Sequence, residues 1–313
     1  MSIEILRDNT IINGIFSPIN FTEFPTSFTN SLRLILKGEI NQSDAIKLSE
    51  YSKNFNKTII VESNLSSYHF KYYSFFSHLY GFQCYGIDNE GIEKIQEIPE
   101  KIEHLEMGFL DKKNYSIDFL QKFKSLNFLS ISGKVSGFQC LLKLPKLSTL
   151  NLYYVKLPNT EYFSKLPRLK SFQFTHGSIE DINSLSELTS IESISFWKVR
   201  GLNDLSWLVK LVNLKKISIG AQTNIEYLPS FHFFNKLESI HFEQMKNLLD
   251  ISPISESNSI KSVYLTGMDQ VPIESYESFK NHSSLEYLKC GYKSKKKRDL
   301  IKKMLDLPEI NTK

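Results

Sequence analysis

The sequence has few of the features that mark secreted, membrane-spanning or metal-binding proteins. Its 313 residues include three cysteines and no C-x-x-C pair, which argues against a disulfide framework or a zinc site. No run approaches the ~18 to 20 apolar residues that a bilayer-spanning helix needs. The N-terminal stretch MSIEILRDNT lacks the basic start, apolar stretch and cleavage site of a signal peptide. We therefore expect a cytoplasmic protein with reduced thiols.

The chain also lacks an excess of charge of one sign, except at its C-terminal end. The formal net charge is +4, but residues 293–313 alone contain eight basic and three acidic side chains. The rest of the chain is therefore nearly neutral, which gives no argument for a nucleic-acid-binding surface along it. The basic end can be the solvated face of a helix. Alternatively, it docks an accessory or regulatory protein to nucleic acid or an anionic membrane.

Motifs of catalysis are missing as well. The sequence contains no G-x-S-x-G, no Walker-type glycine loop and no H-E-x-x-H. Cys140 lies in the apolar stretch GFQCLLKL, with Lys143 as its one basic neighbour, which does not favour a reactive thiolate. We therefore predict no catalytic residue, metal site or cofactor, and we expect that the protein is not an enzyme.

What the sequence does contain is one short pattern, repeated: an apolar residue, two variable residues, an apolar, a variable and an apolar residue. The nine copies begin at Ile102, Leu126, Leu147, Leu169, Ile191, Leu214, Leu237, Ile260 and Leu285. Successive copies are 21 to 25 residues apart. This pattern and this period are typical of leucine-rich repeats, in which each copy supplies one strand.

The repeat predicts an α/β solenoid, namely a leucine-rich repeat array with a parallel sheet on its concave side. Between strands, apolar residues recur every three positions, as in Ile179, Ile182, Leu185 and Leu188. That period suits 3₁₀ or short helices on the convex side. The array is expected to carry a cap at both ends, because a terminal repeat otherwise exposes its apolar side.

Four segments follow from this reading. Residues 1–30 form an N-terminal cap, and 31–101 hold degenerate, more helical leading repeats, with helices capped near Ser43-Asp44 and Ser67. Residues 102–292 are the regular repeats. Residues 293–313 form a basic amphipathic capping helix. The apolar stripe expected on this helix consists of Leu300, Ile301, Met304 and Leu305.

The signature, with tails such as SIEDINSL (178–185) and GLNDLSWL (201–208), resembles bacterial leucine-rich repeats of the internalin-like type. The resemblance implies a right-handed solenoid and usually a protein-binding role. One departure concerns the Asn that such repeats place three residues after the signature. The residues found there instead are Lys134, Val155, Gly177, Val199, Gln222, Met245 and Met268. Backbone groups in these turns must therefore be satisfied in another way.

Candidate binding residues lie at the signature positions that alternate with the apolar ones, since these point away from the core. The first candidate group contains Asn151, Tyr153, Tyr154, Gln173, His176, Trp197 and Lys198. The second group contains His241, Glu243 and Tyr264. Trp and Tyr are enriched in binding hot spots, although here they can also simply close gaps in an irregular repeat. We predict a non-catalytic protein–protein interaction module with an unidentified protein partner, and we expect a monomer.

Overall fold

The computed structural model describes residues 2–6, 9–13, 33–37, 42–54, 58–64, 79–109 and 112–305. The chain divides into two compact units, Met1–Leu147 and Ser148–Lys313, which we call the N-terminal and C-terminal units. Each unit is built mainly from parallel strands, with short helices between them. The helix predicted after Ser67 lies outside the described residues. None of the helices within the described residues combines the length and apolar character needed to cross a bilayer.

The N-terminal unit contains a sheet whose first pair is antiparallel and whose later pairs are parallel. Its strands are β1 (Ser2–Leu6), β2 (Asn9–Asn13), β3 (Arg33–Lys37), β4 (Thr58–Asn64), β5 (Leu79–Ile87), β6 (His104–Phe109), β7 (Tyr115–Ser116), β8 (Phe128–Ser132) and β9 (Val135–Ser136). Its helices are α1 (Gln42–Asn54), α2 (Asn89–Ile95) and the 3₁₀ helices Asp118–Lys122 and Phe138–Lys143. Strands β3 to β5 lie within residues 31–101, and the antiparallel β1–β2 pair was not anticipated.

Helix α2 was not predicted either, although its start signal is in the sequence. The Asp88 side chain caps it by accepting a hydrogen bond from Gly91 N at 2.9 Å. Two of its residues, Gly91 and Ile95, are buried. Register shifts in the β4–β5 and β5–β6 pairs mark this part of the sheet as less regular than the rest.

The C-terminal unit is the regular part of the array, and all of its strand pairs are parallel. Its strands are β10 (Thr149–Tyr153), β11 (Lys156–Leu157), β12 (Ser171–Thr175), β13 (Ser178–Ile179), β14 (Ser193–Trp197), β15 (Lys216–Gly220), β16 (Ser239–Glu243), β17 (Ser262–Thr266) and β18 (Tyr287–Lys289). Its helices are α3 (Glu161–Ser164), α4 (Lys295–Leu305) and the 3₁₀ helices Asn183–Glu187, Ser206–Lys210, Ser252–Glu256 and Ile273–Phe279.

The strands follow the signature as predicted. Each five-residue strand of the main sheet spans positions three to seven of its copy, and equivalent positions pair across strands, as in Phe172 with Ile194. Positions four and six are buried, whereas positions five and seven are partly exposed in most strands, for example in β12 and β14. The core therefore lies on one face of the sheet. Burial of each such large apolar side chain stabilises the fold by about 1.5 to 3 kcal/mol.

The three-residue period between strands forms the predicted 3₁₀ turns. Leu185 N donates to Ile182 O at 3.0 Å, and Leu188 N donates in turn to Leu185 O at 3.0 Å. Ile191 N donates to Leu188 O at 3.1 Å in the same way. Because three residues complete one such turn, Ile182, Leu185 and Leu188 all face the core and are buried.

Other side chains replace the missing Asn in the turns that follow the strands. Gln222 is buried, and its amide is oriented so that it donates to Val199 O at 2.9 Å and accepts from Val199 N at 2.7 Å. Gln270 Nε2 donates to Met245 O at 2.7 Å and to Leu248 O at 3.0 Å. In these two places, backbone groups of the turns are therefore satisfied in another way, as expected.

The C-terminal helix α4 packs against the 3₁₀ helix Ile273–Phe279. Ile301 and Leu305 are buried, as the amphipathic pattern predicts. Leu300 is half exposed, so its assignment to the buried stripe was wrong. On a helix with 3.6 residues per turn, the row through residues 301 and 305 forms the contact, and residue 300 lies beside that row.

Candidate functional site

Six strands of the C-terminal unit, β10, β12, β14, β15, β16 and β17, end in the same unusual way. The eighth residue of the copy, directly after the strand, has a positive φ between 51° and 60°. We call these residues the end row: Tyr154, His176, Lys198, Ala221, Gln244 and Gly267. Positive φ disfavours side chains, and β-branched ones most strongly, and none of the six is β-branched. The row nevertheless contains five residues other than glycine.

Backbone hydrogen bonds hold the end row in this conformation. His176 N donates to Trp197 O at 2.8 Å, Lys198 N to Gly220 O at 3.0 Å, and Ala221 N to Glu243 O at 2.8 Å. The ladder of the parallel sheet thus runs one residue past each strand. The satisfied N–H groups offset the roughly 1 to 2 kcal/mol that a left-handed residue costs.

Aromatic side chains dominate the first part of this edge. Tyr154 is 60% exposed, and its ring stacks on that of His176 with centroids 5.2 Å apart and an interplanar angle of 21°. Tyr153 and Trp197 end β10 and β14 and are partly exposed. We call Tyr153, Tyr154, His176 and Trp197 the aromatic cluster. The structure thus places these four predicted residues on neighbouring strand ends of one unit.

The Trp197 ring lies against Gly220, which has no side chain. Gly220 pairs with Trp197 in the β14–β15 register, and a Cβ added at Gly220 would lie 2.2 Å from the indole ring. Such a distance is shorter than any real contact, so the ring occupies the space that a larger residue would fill. This close approach accounts for a glycine in the middle of an otherwise regular series of strands.

The strand that follows Trp197 also creates a cavity. Strand β15 ends on Gly220 and is followed by Ala221. These two are the smallest pair of residues found at the seventh and eighth positions of a copy. The corresponding pairs of the adjacent strands are Trp197-Lys198 and Glu243-Gln244. A half-open cavity of about 450 Å³ lies there. Its lining residues are His176, Trp197, Lys198, Val199, Arg200, Ala221, Gln222, Thr223, Asn224, Gln244 and Lys246. We call it the end-row cavity.

The end-row cavity is cationic. Lys198, Arg200 and Lys246 are exposed, and all three line it. Within the part of the chain that the structure describes, no carboxylate pairs with any of the three side chains, and the lining includes no Asp or Glu. The cavity therefore presents positive charge that the protein itself does not neutralise.

The opposite ends of the same strands carry charges that are paired. The second signature position alternates in sign along what we call the charge ladder: Lys170, Glu192, Lys215, Glu238 and Lys261. Glu192 accepts from Lys170 Nζ at 2.9 Å and from Lys215 Nζ at 2.7 Å. Hydrogen bonds from these two ammonium groups lower the pKa of the Glu192 carboxyl to about 2.

Two further candidates lie on the sheet face beside the aromatic cluster. Asn151 and Gln173 are register partners on β10 and β12, and both are partly exposed. The Gln173 amide donates to Thr175 Oγ1 at 3.5 Å, which is a weak contact. These two side chains supply polar groups next to the aromatic rings.

The second predicted group is also brought together. His241 Nε2 and Glu243 Oε2 are 3.6 Å apart, and the His241 and Tyr264 rings meet edge-on at 6.1 Å. Tyr287 on β18 joins them, with its ring 4.9 Å from that of Tyr264. Sequence reasoning missed Tyr287. Only β15 separates this group from Trp197, so the two predicted groups belong to one face of the C-terminal unit.

A polar cluster in the N-terminal unit was missed entirely. Glu106 accepts from His104 Nε2 at 2.7 Å and from Gln83 Nε2 at 2.8 Å, while the His104 ring stacks on Phe128 at 4.1 Å. Burial raises the pKa of Glu106, but hydrogen bonds from His104, Gln83 and Tyr85 outweigh burial and lower it overall. The alternation of the signature, applied to the copy at Ile102, would have found His104 and Glu106.

The cysteines offer no nucleophile. Cys84, Cys140 and Cys290 are buried and free. Burial, and then the charge of Asp118, raise the pKa of the Cys140 thiol to about 12. A thiol with such a pKa is protonated at neutral pH and does not react as a thiolate. Among the described residues, no three His, Cys, Asp or Glu side chains are arranged to hold a metal ion.

Comparison with known proteins identifies the fold. No protein-family model and no curated protein sequence matches this chain. Among solved structures, the internalin inlF from Listeria monocytogenes is similar with a TM-score of 0.55 and 20% identity, over 84% of this chain and 75% of that one. The internalin C2 of the same species aligns with a TM-score of 0.46 and 17% identity, over 72% and 92% of the two chains. A leucine-rich repeat protein from Leptospira interrogans aligns with a TM-score of 0.45 and 16% identity, over 92% of each chain.

The similarity to inlF agrees with the repeat signature, the parallel strands and the 3₁₀ turns described above. It concerns the fold, since about one residue in five is identical between the two sequences. The chain has the leucine-rich repeat fold, of the kind found in the bacterial internalins.

Proposed function

We propose that this protein is a non-catalytic interaction module that binds a partner protein on the exposed sheet face of its C-terminal unit. The aromatic cluster is the observation that carries the proposal. Tyr154 exposes 60% of its surface, beside His176 and near Trp197, on a rigid sheet edge. Large, rigid aromatic side chains bury much area on binding and lose little conformational entropy.

The leucine-rich repeat fold supports this proposal because it presents side chains in rows without an ordering step. The cytoplasmic location stays a prediction. We do not favour docking to nucleic acid or a membrane through the basic helix α4. Its apolar residues Ile301 and Leu305 are already buried against the repeat array, so the helix has a packing role of its own.

A retention experiment tests the proposal. The wild type and a Tyr154→Ala/Trp197→Ala variant are immobilised and exposed to lysate of the source organism. If both residues are hot spots, each truncation removes about 2 kcal/mol or more, so the variant should lose the retained partner. Circular dichroism and urea unfolding first establish that the variant is folded.

A matched control removes two aromatic residues elsewhere on the same unit. Tyr227 and Phe233 are 80% and 46% exposed, and they lie in the segment between β15 and β16. The Tyr227→Ala/Phe233→Ala variant should retain the partner as well as the wild type does. Equal retention by the Tyr154→Ala/Trp197→Ala variant, or loss by the control alone, would contradict the proposed surface.

A further inference from the structure

The end-row cavity defines what the partner must carry. Three unpaired cations, Lys198, Arg200 and Lys246, line it, and the Trp197 ring forms part of its wall. The other residues of the wall are His176 and residues with neutral side chains. A cavity with these groups attracts an anion, and its aromatic wall offers a surface for an apolar group beside that anion.

The openness of the cavity decides between two kinds of ligand. Sites for small molecules typically enclose most of the ligand surface. The end-row cavity is half open and borders the exposed sheet face, so a free small anion would remain largely in water there. A side chain that projects from a protein surface needs no such enclosure, because the rest of the protein supplies the remaining contacts.

The charge pattern of the same unit supports a partner rather than a chance arrangement. Lysines on the charge ladder find carboxylates one strand away, as Lys170 and Lys215 do with Glu192. Lys156 pairs with Glu180 at 2.9 Å in the same way. The cations of the end-row cavity have no such neighbour among the described residues, so they are available to pair with an anionic group of another molecule.

Resting on the proposed function, we propose that the partner protein inserts an acidic segment into the end-row cavity. A carboxylate of that segment lies between Lys198, Arg200 and Lys246, and an adjacent apolar side chain lies against Trp197. The partner is thus recognised by a Glu- or Asp-bearing peptide segment with one apolar residue.

A peptide-binding experiment on the full chain tests this inference. The probe is a fluorescein-labelled peptide, Gly-Gly-Glu-Glu-Phe-Glu-Glu-Gly-Gly, and its counterpart carries Gln at every Glu. Fluorescence anisotropy at low salt should show the Glu peptide binding about tenfold tighter than the Gln peptide, with affinity falling as salt is added. Equal affinity for the two peptides would overturn the inference.

Two sets of variants locate the binding. Lys198→Gln/Arg200→Gln/Lys246→Gln should weaken binding of the Glu peptide about tenfold. Lys295→Gln/Lys296→Gln/Lys302→Gln removes the same charge from exposed positions on α4 and should leave the affinity unchanged within about twofold. Loss in the α4 variant, or retention in the cavity variant, would overturn the assignment to the cavity.

A variant that fills the cavity separates its shape from its charge. Tyr154 shows that the end-row conformation accepts a tyrosine, so Ala221→Tyr should fold and occupy the space above Ala221. It keeps all three cations, yet it should weaken binding of the Glu peptide by a similar factor. Undiminished binding would mean that diffuse charge, and not the cavity, attracts the peptide, which would also overturn the inference.

Two further probes separate the anion chemistries. A single-stranded 20-nucleotide DNA that binds as tightly as the Glu peptide would overturn the assignment to a protein segment. A phosphoserine peptide of the same length that binds more than tenfold tighter would overturn the assignment to a carboxylate. The proposed function is judged separately, by partner retention in the Tyr154→Ala/Trp197→Ala variant, and it can stand when this inference fails.

Discussion

The two ends of the strands in the C-terminal unit share one backbone pattern but treat charge in opposite ways. At the beginning of the strands, the charges of the ladder from Lys170 to Lys261 alternate in sign from one strand to the next, and Glu192 contacts two lysines. At the other end, Lys198, Arg200 and Lys246 have no carboxylate partner among the described residues. At one edge the charges are paired within the protein, whereas the other edge presents cations that have no carboxylate partner among the described residues.

The two edges also differ in how their backbone is held. At the beginning of the strands, main-chain bonds such as Lys215 N to Glu192 O at 2.8 Å are joined by serine hydroxyls that donate to carbonyl groups, as Ser259 Oγ does to Leu237 O at 2.9 Å. Beyond the end row, the buried Gln222 amide bonds to both backbone groups of Val199. The two edges therefore differ in that the Gln222 amide satisfies an N–H and a C=O group of one residue at once, whereas the serine hydroxyls satisfy carbonyl groups.

The largest effect expected from this difference concerns Gln222. Gln222→Leu fills the same space but leaves Val199 N and Val199 O without partners, and it should lower the free energy of unfolding by about 1 to 3 kcal/mol. Urea unfolding followed by circular dichroism measures the change. Lys216→Gln, at the beginning of β15, should stay within about 0.5 kcal/mol of the wild type. Equal losses in both variants would remove the contrast between the edges.

Glycine substitutions should change the stability by an intermediate amount, with opposite signs in the end row and within a strand. Gln244 has a φ of 52°, so Gln244→Gly relieves left-handed strain and should stabilise the protein by about 0.5 to 1 kcal/mol. Ser218 lies within β15, where Ser218→Gly should destabilise by about 0.5 to 1 kcal/mol. Urea midpoints of the two variants measure this; the same sign for both would contradict the strain argument.

The smallest effect concerns the charge ladder, because exposed ion pairs are screened by water. The pKa of Glu192 is lowered from 4.5 to about 2, so its contribution to stability is present above pH 4.5 and is lost as the pH falls toward 2. Glu192→Gln lacks this contribution. The difference in urea midpoint between wild type and variant should therefore be largest near neutral pH and shrink between pH 4.5 and 2.

A matched substitution at the binding edge controls for the loss of one charge. Lys198 has no carboxylate partner among the described residues, so Lys198→Gln should leave the urea midpoint at pH 7 and low salt unchanged. A fall in midpoint equal to that of Glu192→Gln would show that both edges carry similar electrostatic stabilisation, which breaks the comparison.

The strand positions of the array could be predicted because two independent periods agree. The repeat spacing and the alternation of buried residues within each copy, as at Phe172 and Phe174, leave one register for the sheet. The antiparallel pairing of β1 with β2 lies outside both periods, and the sequence carries no signal for it comparable to the signature.

The left-handed end row could not be predicted from residue type. Tyr154, His176 and Lys198 are not the Gly or Asn residues that normally signal positive φ, and their conformation is set by hydrogen bonds to the next strand. The sequence shows which residues line the end-row cavity positions, including the small residues Gly220 and Ala221. It does not predict the shape of the cavity, because that shape depends on the side-chain conformation of Trp197 over Gly220.

The end row has a consequence for how such a protein acquires new binding partners. Five different residue types besides glycine occupy the same backbone conformation, from alanine at Ala221 to tyrosine at Tyr154. The main-chain bonds to the adjacent strand are the same for each of them. Under the proposed function, recognition can therefore diversify by single substitutions along this line of residues while the backbone beneath stays the same, so stability and specificity can evolve independently.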